Sequence, residues 1–410
     1  MLSVLTAGCL LGAVALFGIS LQGTFTSAQW TPYIWAHANS QLYGWVGFFI
    51  IGFSLQQHAP RQSKLSQFRW MSVTTLALMA VAIGMRFVAE PMSRVQPDLW
   101  VPIGVFCCLL QAVAVMLFVS TIMTTRHKSG AGLTWQSLFI FASLFWFLAI
   151  ALIEPFVFFR THGPGPQQFV AEWFAVYREA QFLGFVAQMI FGVALTKLSS
   201  CFGIQPANRT LGLIGFALWN VGLIVRFAGW RVLFESGFQN GAVYGLGALM
   251  LSTAAAAIVL SSNIFSAARE PHRSQRFVRA SFAWLLVGGL MQVAMPLHLS
   301  LAGVAFSHAY VGALAHVVTV GFISQMIIGF SLHVTARMND IDDAKLSPLW
   351  SVFWLLNVGN AARVGFEIAT DYSSAAFLPM GVTGFIELCA LGIWAYSIVS
   401  MMKSRQRAFA

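Results

Sequence analysis

Gly44-Trp45-Val46-Gly47-Phe48-Phe49-Ile50-Ile51-Gly52 decides the fold, because two later stretches repeat its pattern. They are Gly184-Phe185-Val186-Ala187-Gln188-Met189-Ile190-Phe191-Gly192 and Gly321-Phe322-Ile323-Ser324-Gln325-Met326-Ile327-Ile328-Gly329. With the first glycine of each set to zero, an arginine falls at +42 every time, as Arg86, Arg226 and Arg363, and an asparagine falls at +36 in two copies, as Asn220 and Asn357. Shared apolar composition explains similar glycine blocks, but it does not place three arginines at one offset. The copies lie about 140 residues apart, room for four membrane-crossing helices of about 20 apolar residues each. Repeats take precedence over any other feature in reading architecture. The expectation is therefore one transmembrane domain, 1–410, of about twelve helices in three four-helix repeats, about 1–123, 124–266 and 267–410. Repeats of the same sense imply a pseudo-threefold axis along the membrane normal. Glycines eight residues apart suit close helix approach.

Composition agrees. The chain is 58% hydrophobic and 9% charged, a balance that a water-soluble domain cannot hide and lipid can accommodate. Backbone groups find no partners in lipid, so spanning segments must satisfy themselves, and the short alternating strands of a barrel are absent from the sequence. The predicted spans are 3–22, 36–57, 68–90, 101–123, 134–158, 176–198, 211–231, 241–266, 280–300, 306–335, 348–368 and 376–402. Of the 23 Lys and Arg, 16 fall in alternate connections and the C-terminus, which places those loops and both termini in the cytoplasm. Arg61, Lys64, Arg269, Arg273, Arg276 and Lys345 carry much of this asymmetry, and the loop at 163–168 falls on the outer face. The net charge of +10 then belongs to membrane topology, and no aromatic-basic module for nucleic acid is present. The five cysteines form no C-x-x-C pair, which argues against attached c-type haem and Cys-based zinc sites. Phosphate loops, dinucleotide fingerprints and H-E-x-x-H are likewise missing.

The chemistry lies in a few polar residues within apolar helices. His37 stands seven residues before its repeat glycine and His316 five before its own, so the two share one layer of the outer leaflet within roughly 3 Å of helical rise. Two such imidazoles either ligate a b-type haem axially or form hydrogen-bonded core pairs, and spacing leaves both open. Arg86, Arg226 and Arg363 lie at about the same level. Interfacial snorkelling accounts for any one of them, while their repeat-equivalent placement points to a structural role for all three, with haem propionates held by one or two. His308, two turns before His316, and His298 at the end of helix 9 are candidates for a second metal or for polar helix ends. Glu179 occupies the position equivalent to His316 in the second repeat, where an acid tunes polarity or accepts a proton. Glu387 is the deepest acid, and Gln188, Gln292 and Gln325 suit hydrogen bonds between helices. Asp340, Asp342 and Asp343 read as a solvated loop.

The stretch Trp35-Ala36-His37-Ala38-Asn39-Ser40-Gln41-Leu42-Tyr43-Gly44-Trp45 resembles the NnrS family, whose second helix carries a His-x-His-Glu stretch before a Phe-Gly pair. Ala315-His316-Val317-Val318-Thr319-Val320-Gly321 is similar to that family's His-Ala-Leu-Thr-x-Gly block. The resemblance implies a bacterial inner-membrane protein of nitric oxide metabolism or nitrosative stress that binds haem, with copper as a second cofactor. The family is in turn similar to the catalytic subunit of haem–copper oxidases, in which histidines of the second and tenth helices hold a low-spin haem. His37 and His316 match that arrangement. The chain departs from the pattern at Asn39, Ser40 and Arg279, and helices 6 and 7 hold no histidine, so the oxidase copper site is not expected. Whether turnover accompanies binding stays open, the enzymatic form being a haem-dependent oxidoreductase acting on nitric oxide. The rival readings are a cofactor-free secondary transporter and a membrane assembly factor that partners respiratory or denitrification subunits in the lipid bilayer.

Overall fold

A computed structural model describes residues 2–59, 65–129, 132–163, 170–236, 241–267, 272–342, 347 and 349–408. Arg61, Lys64, Arg269, Asp343 and Lys345, and residues 164–168 of the expected outer loop, lie outside the described residues. Among the described residues every element is helical and no strand occurs. The helices are α1 (Leu2–Gln22), α2 (pieces Thr31–Asn39, Ser40–Gly47 and Phe48–Gln57), α3 (Leu65–Met92), α4 (Pro97–Ser129) and α5 (Ser137–His162). There follow α6 (pieces Val170–Phe174, Ala175–Glu179, Ala180–Ala187 and Gln188–Phe202), α7 (Arg209–Ser236), α8 (Ala242–Ser262) and α9 (Gln275–Ala302). The last are α10 (pieces His308–His316, Val317–Ser324 and Gln325–Met338), α11 (Trp350–Ala369) and α12 (Phe377–Ala408). Gly23, Gly203 and Gly303 take φ of +65°, +59° and +68° just past α1, α6 and α9, the left-handed conformation in which glycine ends a helix without strain.

Nine helices among the described residues are long and apolar enough to cross a membrane. The chain is an α-helical, multi-pass membrane protein. The expectation was twelve spans, and α1, α2 and α11 are not among the nine for physical reasons. In α1 the stretch so identified is the shorter Ala7–Gln22. Asn39, Gln41, Tyr43, Trp45 and several glycines dilute α2, while Asn357, Asn360, Arg363 and Glu367 dilute α11. The surface reverses the pattern of a soluble protein. Phe145, Ile224, Leu290 and Leu297 are exposed, whereas Arg86, Glu90, Glu154 and Arg363 are buried.

The chain divides into two compact units, Met1–Gly12 with Ala28–Met189, and Ala13–Ser27 with Ile190–Ala410. In the first, α2, α3, α4 and α5 pack in sequence, and α5 packs on the middle of α6. Phe147 and Phe185 stack there with centroids 3.9 Å apart. In the second, α7 through α12 pack in sequence, with α7 and α8 forming an especially close pair.

Three helices widen at equivalent places, and α6 has a further π segment at its start, Val170–Phe174. The segments Ser40–Gly47, Ala180–Ala187 and Val317–Ser324 are π-helical, and each runs from four residues before its repeat glycine to three after it. A π turn leaves backbone carbonyls to be satisfied from outside the helix. Ser143 of α5 donates to the Phe185 carbonyl at 2.7 Å, and Ser281 of α9 donates to the Phe322 carbonyl at 2.7 Å. Both carbonyls stand one residue after a repeat glycine. A Cβ at Gly184 would press on the Trp146 indole and one at Gly321 on the Trp284 indole, so these helices approach over glycine.

Candidate functional site

In the second unit Ser307 caps α10 by accepting the Tyr310 amide at 2.8 Å. The helix then runs in α conformation to His316, the last residue before it widens. His316 Nδ1 lies 3.0 Å from the Gly312 carbonyl. A carbonyl only accepts, so Nδ1 carries the hydrogen and, in the neutral ring, Nε2 carries the lone pair. Glu367 of α11 comes within 3.7 Å of the same Nδ1. It can do so because Gly312 has no side chain; a Cβ there would collide with the Glu367 carboxylate.

Asn360, Arg363 and Glu367 follow one another at helical spacing along the buried face of α11. Arg363 Nη2 donates to Glu367 Oε1 at 3.1 Å. Its Nε and Nη1, both side-chain atoms of Asn360, and Glu387 Oε1 on α12 are buried without a hydrogen-bond partner among the described residues. Buried polar atoms are rarely left so, and several converging in one place mark a site built for something polar. Below them Asn357 accepts from Trp284 Nε1 at 2.8 Å and pairs with Gln325 at 3.0 Å and 3.2 Å. Gln325 thus bonds between helices as expected, while Gln188 Nε2 donates within its own helix to the Gly184 carbonyl at 3.1 Å.

His308 opens α10 with its ring 4.9 Å from that of Phe306. His298 bonds elsewhere: its Nε2 lies 2.7 Å from Asp371 Oδ2, its Nδ1 lies 3.2 Å from Tyr372 Oη, and Ser307 also donates to Asp371. These contacts tie helix ends together. Among the described residues no group of three or more His, Cys, Asp or Glu converges as a metal-binding set. Arg226 donates to the Tyr244 hydroxyl, and its guanidinium stands 4.2 Å from the centre of that ring.

In the first unit His37 Nδ1 lies 2.7 Å from the Gly8 carbonyl of α1, so its Nε2 also carries the lone pair. A Cβ at Gly12 would collide with the imidazole, which therefore rests against bare helix backbone. Ser40 follows, donating to the His37 carbonyl at 2.8 Å. Glu179 is half-buried and immediately precedes the π turn of α6, as His316 does in α10.

The same unit holds a buried ionic network that composition did not announce. Arg86 Nε is 2.9 Å from Glu90 Oε1, its Nη2 is 2.6 Å from Glu154 Oε1, and its Nη1 donates to Gln111 Oε1 at 3.0 Å. Tyr43 donates to Glu154 Oε2 at 3.0 Å and Gln181 does so at 3.3 Å. His162 Nε2 lies 2.7 Å from Glu90 Oε2. Arg86 was expected among propionate ligands; its donors are committed instead to two carboxylates and an amide. Glu90, Glu154, His162 and Tyr43 are functional candidates that sequence reasoning passed over. Two signals were present: acids directly before proline inside apolar runs, Glu90-Pro91 and Glu154-Pro155, and a glutamate at +46 from the repeat glycine in two copies, Glu90 and Glu367.

The chain matches no model of a known protein family, and no curated protein matches it significantly.

Proposed function

We propose that the chain is a haem-binding inner-membrane protein of the NnrS type, acting in nitric oxide metabolism or the nitrosative-stress response. In this reading His37 and His316 are the ligands of haem b and Arg363 is the partner of a propionate. One observation carries it. Within the second unit, His316 has its Nδ1 hydrogen fixed on the Gly312 carbonyl, beside an Arg363 with two buried donors unspent. Histidine ligands characteristically donate their other ring nitrogen to a carbonyl or carboxylate, which sets orientation and raises basicity. His37 meets the same requirement through Gly8. Arginine is the side chain best suited to hold a carboxylate in a planar fork, and Glu367 anchors it from behind. Haem would supply a redox-active iron that electrons can reach, and that would take a diatomic ligand only on release of one histidine. The nitric oxide role rests on the resemblance of the His37 and His316 segments to the NnrS family.

The finer architecture belongs to the same proposal: three four-helix repeats about a pseudo-threefold axis, with both termini cytoplasmic. It is supported by the equal offsets of the three π turns from Gly44, Gly184 and Gly321, and by the matched Ser143 and Ser281 bonds. The test is a visible spectrum with metal analysis of protein purified from haem-sufficient cells. A low-spin b-type spectrum is expected, lost in H37A and H316A, while both variants remain in the membrane. Protein that carries no haem would overturn the reading and leave a cofactor-free transporter in first place. Cells lacking the protein should also grow poorly under nitric oxide. Labelling from outside should reach a cysteine at position 163 and not one at 273.

A further inference from the structure

The network of the first unit is independent of the haem reading, and it has a feature that ion pairing alone does not explain. His162 Nδ1 lies 3.1 Å from the Phe158 carbonyl, which only accepts. The neighbouring Thr161 hydroxyl, 2.9 Å from the same nitrogen, has the Val157 and Phe158 carbonyls to donate to at 2.9 Å and 3.0 Å. Nδ1 therefore holds a hydrogen. A neutral ring would then present the Nε2 lone pair to a carboxylate oxygen 2.7 Å away. Two lone pairs do not stand at that distance. The pair therefore holds a second hydrogen, on His162 or on Glu90, although the ring nitrogen and that oxygen are not aligned as a hydrogen bond.

The surroundings favour such a proton. The His162 and Glu90 side chains are 4% and 1% exposed, so water does not screen them. Phe158 stacks on the imidazole at 4.2 Å and Trp35 meets it edge-on at 5.0 Å, leaving Glu90 as its anionic partner. Arg86 cannot neutralise Glu90 alone, because it divides itself between Glu90 and Glu154. The other titratable or charged groups around the pair are Tyr43 on α2, Cys107 and Cys108 on α4, and Arg178 on α6. Tyr43 bonds Glu154, and Arg178 donates to Gln181 at 2.9 Å, one amide removed from Glu154. Arg94, one turn beyond Glu90, turns away to the Ala28 carbonyl.

Position gives the proton a route. Glu90 and His162 stand at the C-terminal ends of α3 and α5. Glu154 lies eight residues, about 12 Å of helical rise, further into α5. Arg86 bridges the two carboxylates, and Tyr43 closes the inner end. Ionisable groups inside a membrane bundle that pair with one another mark proton relays and ion pathways.

We propose that Glu90 and His162 form a proton-binding site at the mouth of a polar path that leads through Arg86 to Glu154 and Tyr43. The site holds one proton, on the imidazole or on the carboxylate beside it, and exchanges it with the face at which α3 and α5 end. No bond other than that to the proton forms or breaks.

The test reads the ring nitrogens directly. The full chain, labelled with ¹⁵N-histidine and held in lipid, is studied by solid-state NMR at neutral pH, and H162Q identifies the His162 signals. The expected result is a His162 ring protonated at both nitrogens, or a strong hydrogen bond from a neutral Glu90 carboxylic acid seen in the infrared and lost in E90Q. In E90Q the ring should become singly protonated, and in E90D the second proton should persist. Transfer to deuterated buffer should replace that proton within minutes. Singly protonated His162 beside an ionised Glu90 in the unaltered protein would overturn the proposal. So would double protonation that survives E90Q, or a proton that fails to exchange. Should E90Q not fold, the wild-type and E90D spectra with the deuterium exchange still decide.

Discussion

Gly247→Ala should destabilise the protein, and Gly245→Ala, two residues earlier in the same helix, should not. A Cβ at Gly247 would stand 2.6 Å from the Arg226 backbone nitrogen and 2.7 Å from its Cα and Cβ, where ordinary contact begins at 3.4 Å. Backbone cannot swing aside, so α7 and α8 must separate by about 0.8 Å, a gap that forfeits a quarter to a half of the dispersion energy of each facing atom pair. The interface is long, since Gly215, Gly222 and Gly229 of α7 also meet α8 at close range. Separation further pulls Tyr244 from Arg226. Overpacking costs about 1–3 kcal/mol, and contact with backbone puts this case near 3. Nothing lies within 4 Å of a Cβ at Gly245, so that substitution only gains helix propensity, up to about 1 kcal/mol. The two alanines share one helix, so their difference, about 3 kcal/mol, isolates packing. Tryptophan-fluorescence unfolding of both variants in one detergent, titrated with dodecyl sulfate, measures it. Stabilities within about 0.5 kcal/mol of each other, the scatter of substitutions at unpacked sites, would refute the close-packing argument.

Ser281→Ala should cost about 1 kcal/mol in the same assay, because the Phe322 carbonyl in the π turn loses its donor. Asn357→Leu strips Trp284 and Gln325 of their shared partner and should cost about 2–3 kcal/mol. Arg86→Met leaves two buried carboxylates facing each other and should cost about 3–5 kcal/mol. Arg231→Ala, which removes an exposed pair with Glu235, should change stability by less than about 1 kcal/mol. Gly12→Val should displace the His37 ring and weaken haem retention, read as the haem-to-protein ratio after gel filtration, while Gly52→Ala, in open space, leaves that ratio unchanged.

Helical class and helix positions were legible because lipid demands long apolar runs, and those runs are linear features of the chain. The glycine register was legible too, and it coincides with the π turns, although nothing in residue type reports a π turn: it is a property of backbone hydrogen bonds. Arg86, Arg226 and Arg363 emerged from one offset, and Arg86 and Arg363 each pair with the glutamate four residues on, yet Glu154 and Gln111 at Arg86 and Tyr244 at Arg226 come from other helices. Glu154 illustrates the limit. A single acid barely alters the mean hydropathy of α5, and what makes it a candidate is its contact with Arg86, on another helix. His162 escaped for the same reason, since its carboxylate partner, Glu90, lies 72 positions earlier in the chain. His37 and His316 were singled out by their expected height, but the Gly8 and Gly312 carbonyls that meet their Nδ1 atoms are partners no side-chain pattern reveals.

The distribution of ion pairs bears on how the chain reaches its membrane. A lone ionised side chain at the centre of a helix raises the cost of transfer from the translocon into lipid by roughly 2.5–3.5 kcal/mol. Arg86 and Glu90 share α3, and Arg363 and Glu367 share α11, each pair four residues apart. Those two helices therefore carry counter-ions for their buried arginines, and α11 can leave the translocon as an electrically neutral rod, while α3 keeps one further charge, Arg69, near its start. Glu154 has no cation within one turn on α5. It must be released with a proton on it, or be retained beside the translocon until α3 presents Arg86. Biogenesis of the first unit is thus ordered by charge: α3 partitions first, and α5 becomes a settled membrane helix only once α3 is there to receive it.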